Sequence, residues 1–400
     1  MARFSSRIIT KNIRNAVLYL CKSLGLFWVS RIITKRSLRI LCYHGFSQRD
    51  EHLFRPGLFI SPRLFMRRLD KIEAYGFHIL PLADAADQLT RGALKPNSLV
   101  ITIDDGFYNV HKIAYPILAR RGIPATLFVT SYYVKHNGPI FRIALQYLFW
   151  KTHHGHFRLP KFHPNYPAVI KTKGILGRHD MWRLIDYGES ILNEKGRREL
   201  LRSVADALEI DLDGITKERL FDLLKANEIR EMAANRVDIQ LHTHRHRMPE
   251  EKQNIREEID KNREFLEPIV GYNMEHFCYP SGVCSEERWP TLRECGIKTA
   301  CTCEGGLNTP RTETLALKRI LDMQNVSPLE FEAELTGFME LLRSALRMLT
   351  GRNSTSVPYP APIETGSWIE KNALSRKTAR GTSIVGIGEG KGKPGKVKAI

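Results

Sequence analysis

The apolar positions of the chain change period along its length, and the changes mark out an alternating fold. Short β-type runs at 37–43, 78–80, 98–103, 125–130, 237–241, 276–279 and 298–303 predict strands, several of them apolar throughout, as in strands buried on both faces. Between them the period lengthens. Residues 62–76 carry Leu64, Phe65, Leu69 and Ile72 at helical spacing and close at Gly76; residues 110–121, 227–234, 250–267 and 286–295 also read as helices, the third with Ile255, Ile259 and Leu266 inward. Strand–helix alternation of this kind builds a mostly parallel α/β sheet or a barrel. Residues 135–225 break the rhythm: a loop-rich patch over 153–166 precedes helical stretches around 179–208 and 216–225, which predicts a mostly helical insertion.

The two ends differ from this body. Residues 12–35 are apolar but interrupted by Lys22, too short and too charged for a membrane span of about 20 residues, and they predict a basic amphipathic helix or helix pair lying at an interface. Past about residue 345 the Ser/Gly/Lys-rich text has no period and predicts a tail. The expected organisation is an amphipathic N-terminal segment over 1–38, one α/β domain over 39–335 and a C-terminal helix with a basic tail over 336–400.

Composition sharpens this division. The 400 residues are 42% hydrophobic and 26% charged, with a mean hydropathy of -0.29, which excludes a disordered chain and a multi-span membrane protein. The net charge of +18 belongs to the ends: residues 1–49 hold ten Lys/Arg and no acid, and residues 371–400 hold eight Lys/Arg and one acid, so the body between is nearly neutral. Basic ends on a neutral body fit an anionic lipid surface better than a nucleic acid, which would need a basic stripe across the fold. Seven cysteines, an odd count in a long chain, give no disulfide framework and point to a reducing compartment, the cytoplasm or the cytoplasmic face of a membrane.

Three strands end in polar text: Asp104-Asp105-Gly106, His242-Thr243-His244-Arg245-His246 and Tyr279-Pro280-Ser281-Gly282. Strand C-termini build the site in barrels and open parallel sheets. Alone, Asp-Asp-Gly is also a good turn. Histidines at i and i+4 directly after a strand make a two-imidazole clamp for a divalent metal. One carboxylate with two neutral imidazoles is the donor set of a catalytic zinc site, and a second carboxylate beside it can accept the proton of a water. That chemistry is hydrolysis of an acyl group. The cysteines between 278 and 303 lack a CxxC and read as buried small hydrophobes; Ser281 lacks the Gly-x-Ser-x-Gly elbow of a nucleophile; His153, His154 and His156 read as a solvated loop.

In this order the motifs resemble the polysaccharide deacetylases (the NodB homology domain, carbohydrate esterase family 4). Thr102-Ile103-Asp104-Asp105-Gly106 is similar to that family's Thr-Phe-Asp-Asp-Gly, His242 to His246 matches its His-Ser/Thr-x-x-His, and Phe277-Cys278-Tyr279-Pro280-Ser281-Gly282 resembles its Phe-Ala-Tyr-Pro-Tyr-Gly, over roughly 39–134 and 226–330. The resemblance implies a deformed (β/α) barrel and a metal-dependent deacetylase removing N- or O-acetyl groups from a sugar or glycan. It implies that Asp105, His242 and His246 hold one divalent ion, Zn²⁺ with Co²⁺ or Mn²⁺ as alternatives, and that Asp104 is the catalytic base. Tyr279, Pro280, Ser281 and Gly282 would line the acetyl pocket and supply an oxyanion donor, and Thr243, His44 and Arg319 would support the site from behind. Two departures stand out. Cys278 occupies the place of an arginine that orients the base in many members, and the late Leu-x-His stretch reads Leu317-Lys318-Arg319, with no His to act as general acid. His44, at a strand end, is the remaining candidate acid. The alternative reading is a fold-retaining glycan-binding protein at a membrane surface.

Overall fold

The computed structural model describes residues 2–159 and 168–350. The predicted tail past Thr350, up to which the chain is still helical, and part of the loop predicted over 153–166 lie outside them. Seven parallel strands form a closed barrel: β1 (Arg39–Tyr43), β2 (Ser98–Ile103), β3 (Ala125–Val129), β4 (Val237–Leu241), β5 (His276–Cys278), β6 (Thr299–Gly305) and β7 (Leu317–Leu321). Spatial order follows chain order. Closure comes from β1, which pairs with β2 over Arg39↔Leu99 to Tyr43↔Ile103 and with β7 at Leu41↔Ile320 and Cys42↔Leu321. His78–Ile79 adds a short outer strand to β2. The strand β7 is an addition to the sequence reading, which treated that stretch only as a motif position.

Alternation along the strands sorts side chains between two cores. One row fills the barrel interior: Leu38, Ile40, Val100, Phe128, Cys278, Cys301 and Leu317 cluster there, joined by Leu82, Ala85 and Leu89 of the helix Leu82–Thr90. The other row, with Leu41, Tyr43, Leu99, Ile101, Ile103, Leu127, Val129, Ile239 and Leu241, packs under the surrounding helices. Helix Pro62–Ala74 buries Phe65, Arg68, Leu69 and Ile72, with Leu64 half-buried against the same core, and Arg68 reaches Asp322 at 3.1 Å.

Between β3 and β4 the chain is mostly helical, with helices Phe141–Lys151, Gly174–Ser190 and Glu194–Ala207 sharing the outer core through Leu145, Leu148, Ile185, Leu200 and Val204. Within it, His156–Arg158 and Val169–Lys171 pair antiparallel, two short strands that the loop-rich reading lacked. At the N-terminus, α1 (Ala2–Ser23) and α2 (Leu26–Ile33) are two helices joined at Gly25, whose φ of 76° gives the left-handed turn between them. Further on lie α3 (Lys252–Val270), which packs beside β4, and after β7 come α4 (Pro328–Leu335) and α5 (Phe338–Thr350).

Candidate active site

The inward row of each strand, continued past its last hydrogen bond, delivers the polar residues to one place. On β2 the row runs Val100, Thr102, Asp104; on β4, Gln240, His242; on β7, Leu317, Arg319. Asp104 is buried and its N–H donates to the Tyr43 carbonyl at 2.9 Å, which prolongs the β1–β2 ladder by one residue. The chain then turns sharply. Asp105 takes a left-handed φ of 72°, Gly106 follows at 85°, and a Cβ on Gly106 would sit 3.2 Å from Val129. Thr243, His246 and Ser281 share the left-handed region, so strained backbone recurs in all three motifs.

That turn swings the Asp105 carboxylate toward the histidine loop. Its Oδ1 lies 3.4 Å from His242 Nε2 and 3.3 Å from His246 Nε2. The His242 Nδ1–H donates to the Cys278 carbonyl at 2.8 Å, which fixes the ring so that Nε2 is the nitrogen facing Asp105. Asp105, His242 and His246 therefore present three donor atoms within 4.8 Å of one another, and a carboxylate with two imidazole nitrogens suits a Zn²⁺-type ion. Burial would raise the Asp105 pKa, but hydrogen bonding to the two histidines outweighs it and holds the carboxyl well below the usual carboxylate range.

Asp104 is held differently. Arg319, fully buried, grips it with both arms: Nη1 to Oδ1 and Nη2 to Oδ2, each at 2.8 Å. The guanidinium is itself fixed, Nε donating to the Thr302 carbonyl at 2.7 Å and Nη1 to Thr102 Oγ1 at 3.2 Å. Burial favours the neutral acid, yet the Arg319 charge prevails and keeps Asp104 ionised. Sequence reasoning had found Cys278 where an orienting arginine was expected. The Cys278 sulfur indeed lies 3.4 Å from Asp104 Oδ2 and 3.3 Å from Arg319 Nη2, so the guanidinium fills that space from β7 instead of β5. Cys42 Sγ approaches the same oxygen at 3.6 Å, and His44 Nε2 at 3.7 Å. Burial pushes the His44 pKa down despite the two aspartates nearby.

The third motif corrects part of the expectation. Tyr279 is fully buried, its hydroxyl donating to the Leu315 carbonyl at 2.9 Å and its N–H to the Cys301 carbonyl at 3.1 Å, so it neither lines a pocket nor serves an oxyanion. The Gly282 N–H donates to the Tyr279 carbonyl at 3.0 Å, and Pro280 has no N–H. Ser281 is the exposed residue of the four. Gly282 is required for space, since a Cβ there would lie 2.6 Å from that of Cys303. Buried Thr243 accepts the Arg247 N–H at 3.1 Å and so ties the histidine loop to itself.

Two site-shaping residues were missed. Asn262 on α3 is fully buried; its Oδ1 accepts the His242 N–H at 2.9 Å while Nδ2 donates to the Val129 carbonyl at 3.1 Å and Ser131 Oγ at 3.0 Å. One helical turn earlier, Glu258 accepts the Arg245 N–H at 2.7 Å, and its backbone carbonyl accepts the His244 N–H at 3.0 Å. The signal was present: Ile255, Glu258, Ile259, Asn262 and Leu266 form one inward stripe, and two polar residues on such a stripe need partners.

The polysaccharide deacetylase family model matches residues 91–181 and 186–300. The chain belongs to the polysaccharide deacetylase family. This deacetylase is accordingly a hydrolase of carbon–nitrogen bonds other than peptide bonds, on the (β/α) barrel of the NodB type. Among solved structures it is similar to the Streptococcus pyogenes deacetylase PplD in complex with acetate (17% identity over 75% of this chain and 98% of that one, TM-score 0.49). It is also similar to IcaB from Ammonifex degensii (18%, 75% and 97%, TM-score 0.48) and to the Bacillus cereus polysaccharide deacetylase BC0361 (16%, 75% and 69%, TM-score 0.46). No curated protein matches the deacetylase in sequence.

Proposed function

We propose that this protein is a metal-dependent deacetylase that hydrolyses the N-acetyl group of a sugar or glycan, with O-acetyl groups as the alternative bond. The observation that carries the reading is the pairing of two unlike carboxylates: Asp105 beside two imidazole nitrogens, and Asp104 beside a guanidinium. Asp105, His242 and His246 would hold the ion, Zn²⁺ by donor type, with Co²⁺ or Mn²⁺ as substitutes. When bound, such an ion polarises the acetyl carbonyl and makes water a better nucleophile near neutral pH.

The remaining work falls to side chains of this chain. Asp104 takes a proton from the attacking water as its oxygen adds to the acetyl carbon. Collapse then breaks the carbon–nitrogen bond, and the departing nitrogen needs one proton. Asp104 can return the one it took, and because Arg319 lowers its affinity for protons, it is a better donor in this second step than an isolated carboxyl. His44, on the Oδ2 side of Asp104, is the second candidate for that donation. The products are acetate and a free amine.

The test is metal analysis alongside acetate release from a panel of N-acetylated sugars. Purified protein is expected to lose activity to a chelator and regain it with Zn²⁺ or Co²⁺. Asp104→Asn should keep its metal and lose turnover by about 100-fold or more, the usual worth of a positioned general base. If Asp105→Ala bound metal as tightly as wild type, the ligand assignment would be wrong. Metal content without acetate release from any sugar would favour the binding-only alternative, which the missing late histidine motivates.

A further inference from the structure

The N-terminal helices are the place where the fold leaves apolar surface uncovered. One side of α1–α2 is docked onto α4: Leu18 and Phe27 are buried with Ala333, Lys22 Nζ pairs with Glu332 at 2.8 Å, and Arg14 pairs with Glu330. Thr34, just past α2, donates through Oγ1 to the Thr336 carbonyl at 3.3 Å. The pair is thus part of the folded body. Its other side carries a second apolar stripe. Ile13, Val17 and Leu20 recur at four- and three-residue steps along α1, Leu24 extends the row just past its end, and all four are more than half exposed; Trp28 and Ile33 continue the exposure on α2 at 67% and 63%. The neighbouring α5 exposes Leu346 and Leu349.

From this arrangement we propose that the α1–α2 surface docks in the plane of an anionic lipid bilayer. Charge identifies the occupant: residues 1–38 hold eight Lys/Arg and no acid, six of them besides Arg14 and Lys22, which pair with α4, while a protein partner would be met by mixed charge or none. Exposed Tyr19 and Trp28 are the ring types that favour the headgroup level. The helices lie on the surface and do not cross it. No single helix among the described residues is long and apolar enough to span, and the two halves that together would reach the length are bent by 75° and held on one face by α4. Because α1 runs alongside α4, with Asn15 beside Ser327 and Leu18 beside Ala333, docking engages the flank of the barrel that α4 covers.

The experiment is flotation of the full chain with vesicles of pure phosphatidylcholine and with vesicles of phosphatidylcholine mixed with phosphatidylglycerol. Binding is expected to the anionic vesicles, to weaken as salt is raised, and to fall about tenfold or more in Leu20→Glu/Leu24→Glu, since both side chains leave the acyl boundary. Both leucines are exposed, so the variant should keep the thermal unfolding profile of wild type. The proposal is overturned if wild type fails to float with anionic vesicles, or if the variant floats equally well. It is also overturned if light scattering shows a dimer in solution that the variant dissociates while no vesicle binding is seen, which would make a second copy the true cover.

Discussion

Asp104 and Arg319 form a buried pair in which each partner depends on the other. A fully buried guanidinium is tolerable here because all three of its nitrogens donate, to Asp104, Thr102 and the Thr302 carbonyl. Arg319→Met should cost about 3–5 kcal/mol of stability, since it strands a buried carboxylate. Arg319 holds the Asp104 pKa down, so its removal raises that pKa, and the acid limb of kcat/KM is expected to move to higher pH. Metal content should stay unchanged, because Arg319 contacts none of Asp105, His242 or His246. A pH–rate profile with metal analysis separates this outcome from simple unfolding. The carboxylates and histidines were legible in the sequence because each follows an apolar strand directly. Arg319 was legible as a supporting residue at the late motif position, but its partner was not: the chain does not say that two strands far apart in the text, β5 and β7, project into the same space.

At the level of elements, α3 is the clamp. Asn262 and Glu258 bind backbone N–H groups of the histidine loop, so the helix fixes where the loop begins and how it turns. Asn262→Leu leaves the His242 N–H without a buried partner, a loss of about 1–3 kcal/mol. Its distinctive effect should be on metal affinity, weaker by roughly 10–100-fold as for other residues that orient ligands from behind, measured by competition with a chelating dye at a temperature where the variant is fully folded. An Asn262→Leu variant binding metal like wild type would show that the loop holds its own shape. The helices and strands of the barrel were readable from period alone. The β7 strand was not, because Leu317 to Leu321 alternates with Lys318 and Arg319 and reads as polar until its buried partners are known.

For the molecule as a whole, the barrel carries a titratable weak point at the start of β5, just before the third motif. His276 is buried on β5 beside Thr299 Oγ1 at 2.8 Å, and burial pushes its pKa down to about 4 from 6.5. The unfolded chain therefore binds a proton that the folded chain refuses between those values, and stability present above pH 6.5 is lost as the pH falls toward 4. At pH 5 the loss from this group should be about 2 kcal/mol, read as a shift in urea midpoint that His276→Gln removes. The neutral body and basic ends were evident from composition, whereas the outward apolar stripe of α1 was not distinguishable from a core-facing one until its buried side was known.

The strand that shuts the barrel is also the one that brings the arginine. During synthesis every other wall of the cylinder leaves the ribosome before Leu317, and until then β1 has a bare edge and Asp104 has no counter-ion. Closure of the scaffold and neutralisation of the site are one event, so a product truncated before β7 is expected to be prey for proteases and not a partial enzyme.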